Sequence, residues 1–183
     1  RKSAKPELQK WLFAYIDAGI ETGKGNAATW KHMKYSLLVA LDKPRELERI
    51  VRKWIQTDEY VTTWRWLLGR LAAERGELDE AIGLFEKIEK DSQLAPADYR
   101  ALANWYLARD EKAKYKRARV EALKATQENQ LSNFVRQGRY RWNRSDQPLP
   151  SELDEQVLFA FQALFEKSSS PGNYLYELKE FYR

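Results

Sequence analysis

The side chains that could carry covalent or metal chemistry are few in this chain. It holds one histidine, His32, and no cysteine. That inventory leaves no basis for a histidine triad, a cysteine nucleophile, Cys-ligated zinc or a multi-histidine metal site. His32 is flanked by Lys31 and Lys34, and we interpret it as an ordinary surface or groove residue.

Two further patterns contain groups that bind phosphate or catalyse hydrolysis. The glycine-rich TGKGN (22–26) lacks the spacing of a phosphate loop and follows a predicted helix, so it is interpreted as a helix cap and linker. Carboxylates cluster in ELDE (77–80 and 152–155) and RELER (45–49), all at predicted helix starts, where acids favour the positive end of the helix dipole. We therefore predict a non-enzymatic chain with no catalytic residue, cofactor or metal.

A basic segment offers a different chemistry. Residues 109–144 hold eleven lysines and arginines against four acids, whereas the whole chain has a formal net charge of +5. Near its end, arginines alternate with aromatic residues, an arrangement that can hold single-stranded nucleic acid by phosphate contact and base stacking. The candidate polyanion-binding residues are Arg136, Arg139, Arg141, Trp142 and Arg144. A solvated or protein-docking surface is the competing interpretation.

Composition favours an all-α protein. Hydrophobic residues make up 43% of 183 residues, β-branched residues are sparse, and glycine and proline fall mostly between periodic segments. No apolar run approaches the ~20 residues of a membrane span. The compartment is not fixed by these features, and the ends of the sequence suggest a piece of a longer protein.

Apolar periodicity predicts a helix over residues 6–22, followed by three helix pairs and an irregular helical continuation over 130–183. Trp11, Trp30, Trp54 and Trp64 fall on apolar stripes and are predicted core residues, whereas Trp66 lies off its stripe. The turns inside the three pairs carry Asp42, Gly76 and Asp110, at a constant interval of 34 residues. A fixed period of this size is typical of a solenoid, in which each pair buries a face against the next.

The segment WRWLLGRLAAERGELDEAIGLFEK (64–87) resembles the tetratricopeptide repeat family. Leu68 and Gly69 match the family's Leu-Gly pair, Gly76 its turn, Ala81 its small contact residue and Phe85 its large aromatic. The copies on either side are degenerate. The resemblance implies a single domain over 1–183, a right-handed α-solenoid of stacked antiparallel helix pairs, with a half repeat at 6–22 and repeats at 28–61, 62–95 and 96–129.

The same resemblance implies a protein-interaction scaffold that binds a peptide segment or partner domain in a concave groove. Arginine and tryptophan in such a groove could grip a carboxylate and offer an apolar platform. By position along the repeat, the groove slots are His32, Ser36, Trp66, Arg70, Arg100 and Asn104. The alternative is a helical-repeat domain that binds RNA or another polyanion through residues 109–144; the partner itself is not predicted.

Overall fold

All secondary structure in the described residues is α-helical, which confirms the all-α prediction. The structure, a computed structural model, describes residues 6–23, 26–57, 61–142 and 151–181. The helices, in chain order, are α1 (Pro6–Thr22), α2 (Ala27–Ala40), α3 (Pro44–Thr57), α4 (Val61–Glu74), α5 (Leu78–Asp91), α6 (Pro96–Ala108), α7 (Lys112–Ala125), α8 (Glu128–Trp142), α9 (Ser151–Lys167) and α10 (Pro171–Phe181).

The chain divides into two units, Arg1–Arg75 and Gly76–Arg183. The division falls inside the predicted repeat 62–95, at the turn between α4 and α5. In the first unit, α1 packs on α2, α2 on α3 and α3 on α4. In the second unit, α6 packs on α5 and α7, while α9 packs on α7, α8 and α10. Neighbouring helices therefore cover each other within each unit.

The turns predicted at Asp42, Gly76 and Asp110 are confirmed. Each of the three residues has left-handed backbone, with φ of 53°, 80° and 58° respectively. After Asp42 the chain closes a Schellman motif, because the Lys43 amide donates to the Leu38 carbonyl at 3.0 Å. The Asp110 turn repeats it, with the Glu111 amide donating to the Tyr106 carbonyl at 2.9 Å. The period of 34 residues is thus a period of backbone conformation as well as of sequence.

The core of the first unit centres on two indoles that pack at a tilt of 47°. Trp54 on α3 and Trp64 on α4 are buried, and their ring centroids lie 4.7 Å apart. Leu47, Val51 and Leu68 are buried on the same two helices. The core prediction is confirmed for Trp54 and Trp64, while Trp30 is half-buried.

The core prediction is wrong for Trp11, whose side chain is 58% exposed. Leu8 and Tyr15 are exposed on the same stripe of α1. The buried residues of α1 are Ile16 and Gly19, and Trp30 of α2 lies against Gly19 and meets the Tyr15 ring edge-on. Part of the apolar stripe of α1 is therefore left exposed. On that part Trp11 stacks on Tyr15, with a distance of 5.5 Å between the ring centroids.

The second unit has two apolar clusters. The first joins α5, α6 and α7 around Phe85, Leu102, Tyr106 and Ala118. The second joins α8 and α9 around Leu131, Val157, Phe161 and Leu164, and Leu123 of α7 packs against it. Because α7 contributes to both clusters, it connects the two halves of this unit.

Candidate functional site

Trp66 and Arg70 stand one turn apart on α4, on the side that carries the predicted groove slots. The Arg70 guanidinium carbon lies 5.2 Å from the centroid of the Trp66 ring. Trp66 is 39% exposed and Arg70 is half-buried. A guanidinium close to the face of an indole is attracted by the negative charge of the ring face. The predicted cation and its apolar platform are therefore in contact.

This pair lines a cleft between α2, the start of α3 and α4, wholly within the first unit. The cleft has a volume of about 390 Å³, within the range of roughly 300–1,000 Å³ that small-ligand pockets occupy. Its apolar lining comes from side chains of all three helices: Tyr35, Leu38, Val39, Pro44, Leu47, Trp66, Leu67 and Leu71. Asp42, Lys43, Arg70 and Glu74 supply the charged lining. Such a surface suits an apolar side chain flanked by polar backbone or charge.

His32 and Ser36 are exposed on α2, one turn apart, and both lie outside the lining of the cleft. The His32 ring is 5.9 Å from the Trp64 ring. The structure thus places these two predicted groove residues on the same helix as the cleft wall but not at the cleft itself. The α2 residues that do line the cleft are Tyr35, Leu38 and Val39, and none of them is among the predicted groove residues.

Arg100 and Asn104 are exposed on α6 of the second unit, one turn apart. Their spacing repeats that of Trp66 and Arg70 on α4, as expected for equivalent positions of a periodic sequence. The i, i+4 spacing puts each pair on one face of its helix. The groove of six residues, which draws on both units, remains a prediction.

The basic segment is extensively ion-paired where the structure describes its side chains. Of the eight cations between Arg109 and Arg136, seven have a carboxylate oxygen within 4.0 Å: Arg109, Lys112, Lys114, Lys116, Arg117, Lys124 and Arg136. Arg119 instead donates to the neutral amide oxygen of Gln156 at 2.6 Å. Much of the local positive charge therefore already faces acids of the same unit.

The aromatic end of that segment lies on α8. Arg136 is exposed, 3.6 Å from Glu177 of α10, and Tyr140 is 59% exposed. Arg139, Arg141 and Trp142 belong to α8, but their side chains lie outside the described residues, as does the whole of Arg144. The arrangement proposed for base stacking is thus described only at Arg136 and Tyr140.

A hydrogen-bonded group links the three helices of the first cluster of the second unit. The buried Tyr106 hydroxyl donates to Oε1 of Glu86 at 2.8 Å, and Nζ of Lys114 donates to the same oxygen at 3.2 Å. Burial, and then the carboxylate acceptor, raise the pKa of Tyr106. Burial acts to raise the pKa of Glu86, but the two donors outweigh it and the net pKa is lowered. These hydrogen bonds favour a protonated Tyr106 hydroxyl and an ionised Glu86 carboxylate, and they stabilise the packing of α5, α6 and α7.

No group of three or more His, Cys, Asp and Glu side chains in the described part of the chain is arranged to hold a metal ion. Over the same ranges, none of the helices combines the length and the apolar character that a membrane crossing requires.

Comparison with known proteins adds no relative: no protein-family model, no curated protein and no solved structure matches this chain.

Proposed function

We propose that this chain is a right-handed helical-repeat scaffold of tetratricopeptide type that binds an extended peptide segment of a partner protein. The peptide is anchored at Trp66 and Arg70, and the other predicted groove residues, His32, Ser36, Arg100 and Asn104, are candidate contacts. The observation that carries the proposal is the contact between Arg70 and the exposed ring of Trp66 at the edge of an apolar cleft.

Three properties of the anchor support peptide binding. Trp66 offers a rigid aromatic face, and tryptophan and arginine are the residue types that most often dominate interface energies. Arg70 presents a planar donor set that fits a carboxylate with two parallel hydrogen bonds. The walls belong to packed helices, so little conformational entropy is lost when the peptide binds.

Repetition supports the scaffold class. Turns with one residue in left-handed backbone recur at an interval of 34, which is the length of the tetratricopeptide unit. Each repeat brings its own pair of groove side chains, as at Arg100 and Asn104. A peptide can then gain affinity from several weak contacts in series.

The test is selection of a random dodecapeptide display library on the whole chain, followed by affinity measurement for the enriched peptides. Trp66→Ala and Arg70→Lys each remove one anchor, and we expect each to weaken binding about tenfold or more. Trp11→Ala is the matched control, because it removes another exposed tryptophan, from α1 of the same unit. Circular dichroism verifies that each variant folds.

Three outcomes would count against the proposal. If the enriched peptides bind the Trp66 and Arg70 variants as well as they bind the wild type, these two residues do not anchor the peptide. If Arg100→Glu leaves binding unchanged, Arg100 is not a contact of the peptide. Steeply salt-dependent binding of an oligonucleotide, with no enriched peptide, would favour the polyanion alternative instead.

A further inference from the structure

A second cleft lies between α7 and α9, entirely within the second unit. It has a volume of about 360 Å³, and its apolar lining comprises Tyr115, Val120, Leu123, Leu158 and Phe159. Leu158 is 39% exposed, and the other four are half-buried. Tyr115 packs on the α5–α7 cluster and Leu123 on the α8–α9 cluster, so the cleft is the seam where the two clusters of this unit meet.

The polar lining of this cleft is mainly cationic. Lys116, Arg117 and Arg119 contribute positive charge, and Glu155 is the single acid among the lining residues. Arg117 makes two hydrogen bonds to Glu89, at 3.1 and 2.9 Å, so its fork is engaged. Lys116 lies 3.3 Å from Glu155, but both side chains are more than half exposed, and exposed pairs of this kind are weak.

Arg119 is the cation best placed to bind an incoming acid. It is half-buried, and its hydrogen bond to Gln156 is made to a neutral amide. A carboxylate is a stronger acceptor for guanidinium than an amide, and it can accept two parallel bonds. If a ligand carboxylate replaced the Gln156 amide as the acceptor, Arg119 would lose one neutral hydrogen bond. It would gain a stronger, charge-assisted contact beside the apolar lining of the cleft.

We propose that the α7–α9 cleft binds a partner peptide in which a large apolar residue neighbours an aspartate or glutamate. The apolar side chain enters between Val120, Leu158 and Phe159, and the acid reaches Arg119 at the rim. This site uses α7 and α9, whereas the groove slots lie on α2, α4 and α6. The proposal is therefore independent of the function proposed above, and the two can fail separately.

The experiment uses the same dodecapeptide library on the whole chain, with selection on wild type and counter-selection on Arg119→Gln/Leu158→Asp. We expect the recovered peptides to contain an aspartate or glutamate beside Leu, Ile, Phe or Trp. For a synthetic peptide from this pool, Arg119→Gln should weaken binding about tenfold to hundredfold, the effect of losing one charge-assisted contact. Replacing the peptide's acid by its amide should weaken binding equally.

Lys112→Glu is the matched control on the same helix, because Lys112 is highly exposed and lies outside the cleft lining. It should leave the affinity of the selected peptides unchanged. Methyl NMR gives a second readout, since bound peptide should shift the Leu158 and Leu123 signals. Trp66→Ala should not affect these peptides, which distinguishes this site from the groove.

Several results would overturn the proposal. One is a set of selected peptides that is not enriched in aspartate or glutamate. Another is peptide binding whose affinity is unchanged by Arg119→Gln. If the wild type selects no cleft-dependent peptide but decanoate shifts the Leu158 methyls, a small amphipathic acid occupies the cleft and the peptide proposal is wrong. Unfolding of the double variant does not obscure the test, because Arg119→Gln alone keeps the apolar lining.

Discussion

Gly19 provides the sharpest test of the packing in the first unit. It is buried on α1, where α1 packs against Trp30 of α2. A Cβ atom added at Gly19 would lie within 2.8 Å of three indole atoms of Trp30. Real Cβ atoms do not approach ring carbons so closely, so Gly19→Ala must displace the indole or separate the two helices.

Two opposing effects set the magnitude. Alanine is better than glycine in a helix interior by roughly 0.5–1 kcal/mol. Overpacking a closed contact costs about 1–3 kcal/mol, and because Trp30 is half-buried its ring has some room to shift. We therefore expect Gly19→Ala to lower the free energy of unfolding by about 1 kcal/mol, the net of these two ranges.

Gly83 on α5 is the matched control, since an added Cβ there has no neighbour within 4 Å. Gly83→Ala should raise the free energy of unfolding by about 0.5–1 kcal/mol, the helix-propensity gain alone. Urea unfolding followed by far-UV circular dichroism measures both variants. A double-mutant cycle with Trp30→Ala then isolates the contact, with an expected coupling of about 1–3 kcal/mol.

The reasoning is refuted if Gly19→Ala stabilises the chain as much as Gly83→Ala does. It is also refuted if Gly19→Ala is equally destabilising in the Trp30→Ala background, because the indole would then not be the obstacle. A positive coupling would establish that α1 sits against α2 as closely as the structure has it.

Three further predictions concern the second unit and the turns. Tyr106→Phe removes a buried donor to Glu86 and should lower the free energy of unfolding by about 1–2 kcal/mol in urea titrations. Because the folded pKa of Glu86 is lowered, its stabilisation is complete above the unfolded pKa and is lost as pH falls through the folded pKa. Glu86→Gln should therefore reduce the fall in stability below about pH 4.5, measured by urea titration at successive pH values; an unchanged pH profile would contradict the bond from Lys114. Gly76→Ala should destabilise by about 1–2 kcal/mol and Asp110→Gly should stabilise by about 0.5–1 kcal/mol, since both residues have left-handed backbone; thermal unfolding reports both signs.

Much of the helical layout could be predicted because the chain marks its helix ends with proline and glycine. Residues 6–22 were predicted as a helix and form α1, which ends before Gly23 in left-handed backbone. Within the predicted irregular continuation over 130–183, the last helix, α10, begins at Pro171. Proline fits the first turn of a helix, where its missing amide is not needed, so the same residue could end one segment or begin the next.

Fewer of the residues in the candidate sites could be predicted from the sequence. Trp66 could be recognised as exposed because it falls off the apolar stripe of its helix. Val39 and Tyr35 could not, since their role depends on how α2 approaches α4. The bond from Arg119 to Gln156 joins residues that are 37 positions apart, beyond the reach of helical periodicity. The core prediction for Trp11 was wrong for a related reason. Periodicity gives the width of an apolar stripe but not the number of neighbouring helices that cover it.

The pairing of the basic residues bears on which ligand this chain can select. A segment counted as strongly basic in sequence attracts phosphate only to the extent that its cations are not already opposed by acids. Three of the acids that oppose α7 cations come from other helices, Glu86, Glu89 and Glu155, so the cations paired with them join helices as well as carry charge. Arg119, joined to an amide, is the exception. A ligand that brings one carboxylate to that position gains a specific contact, whereas a polyanion must compete with each existing pair, and this difference favours a single acid beside an apolar anchor.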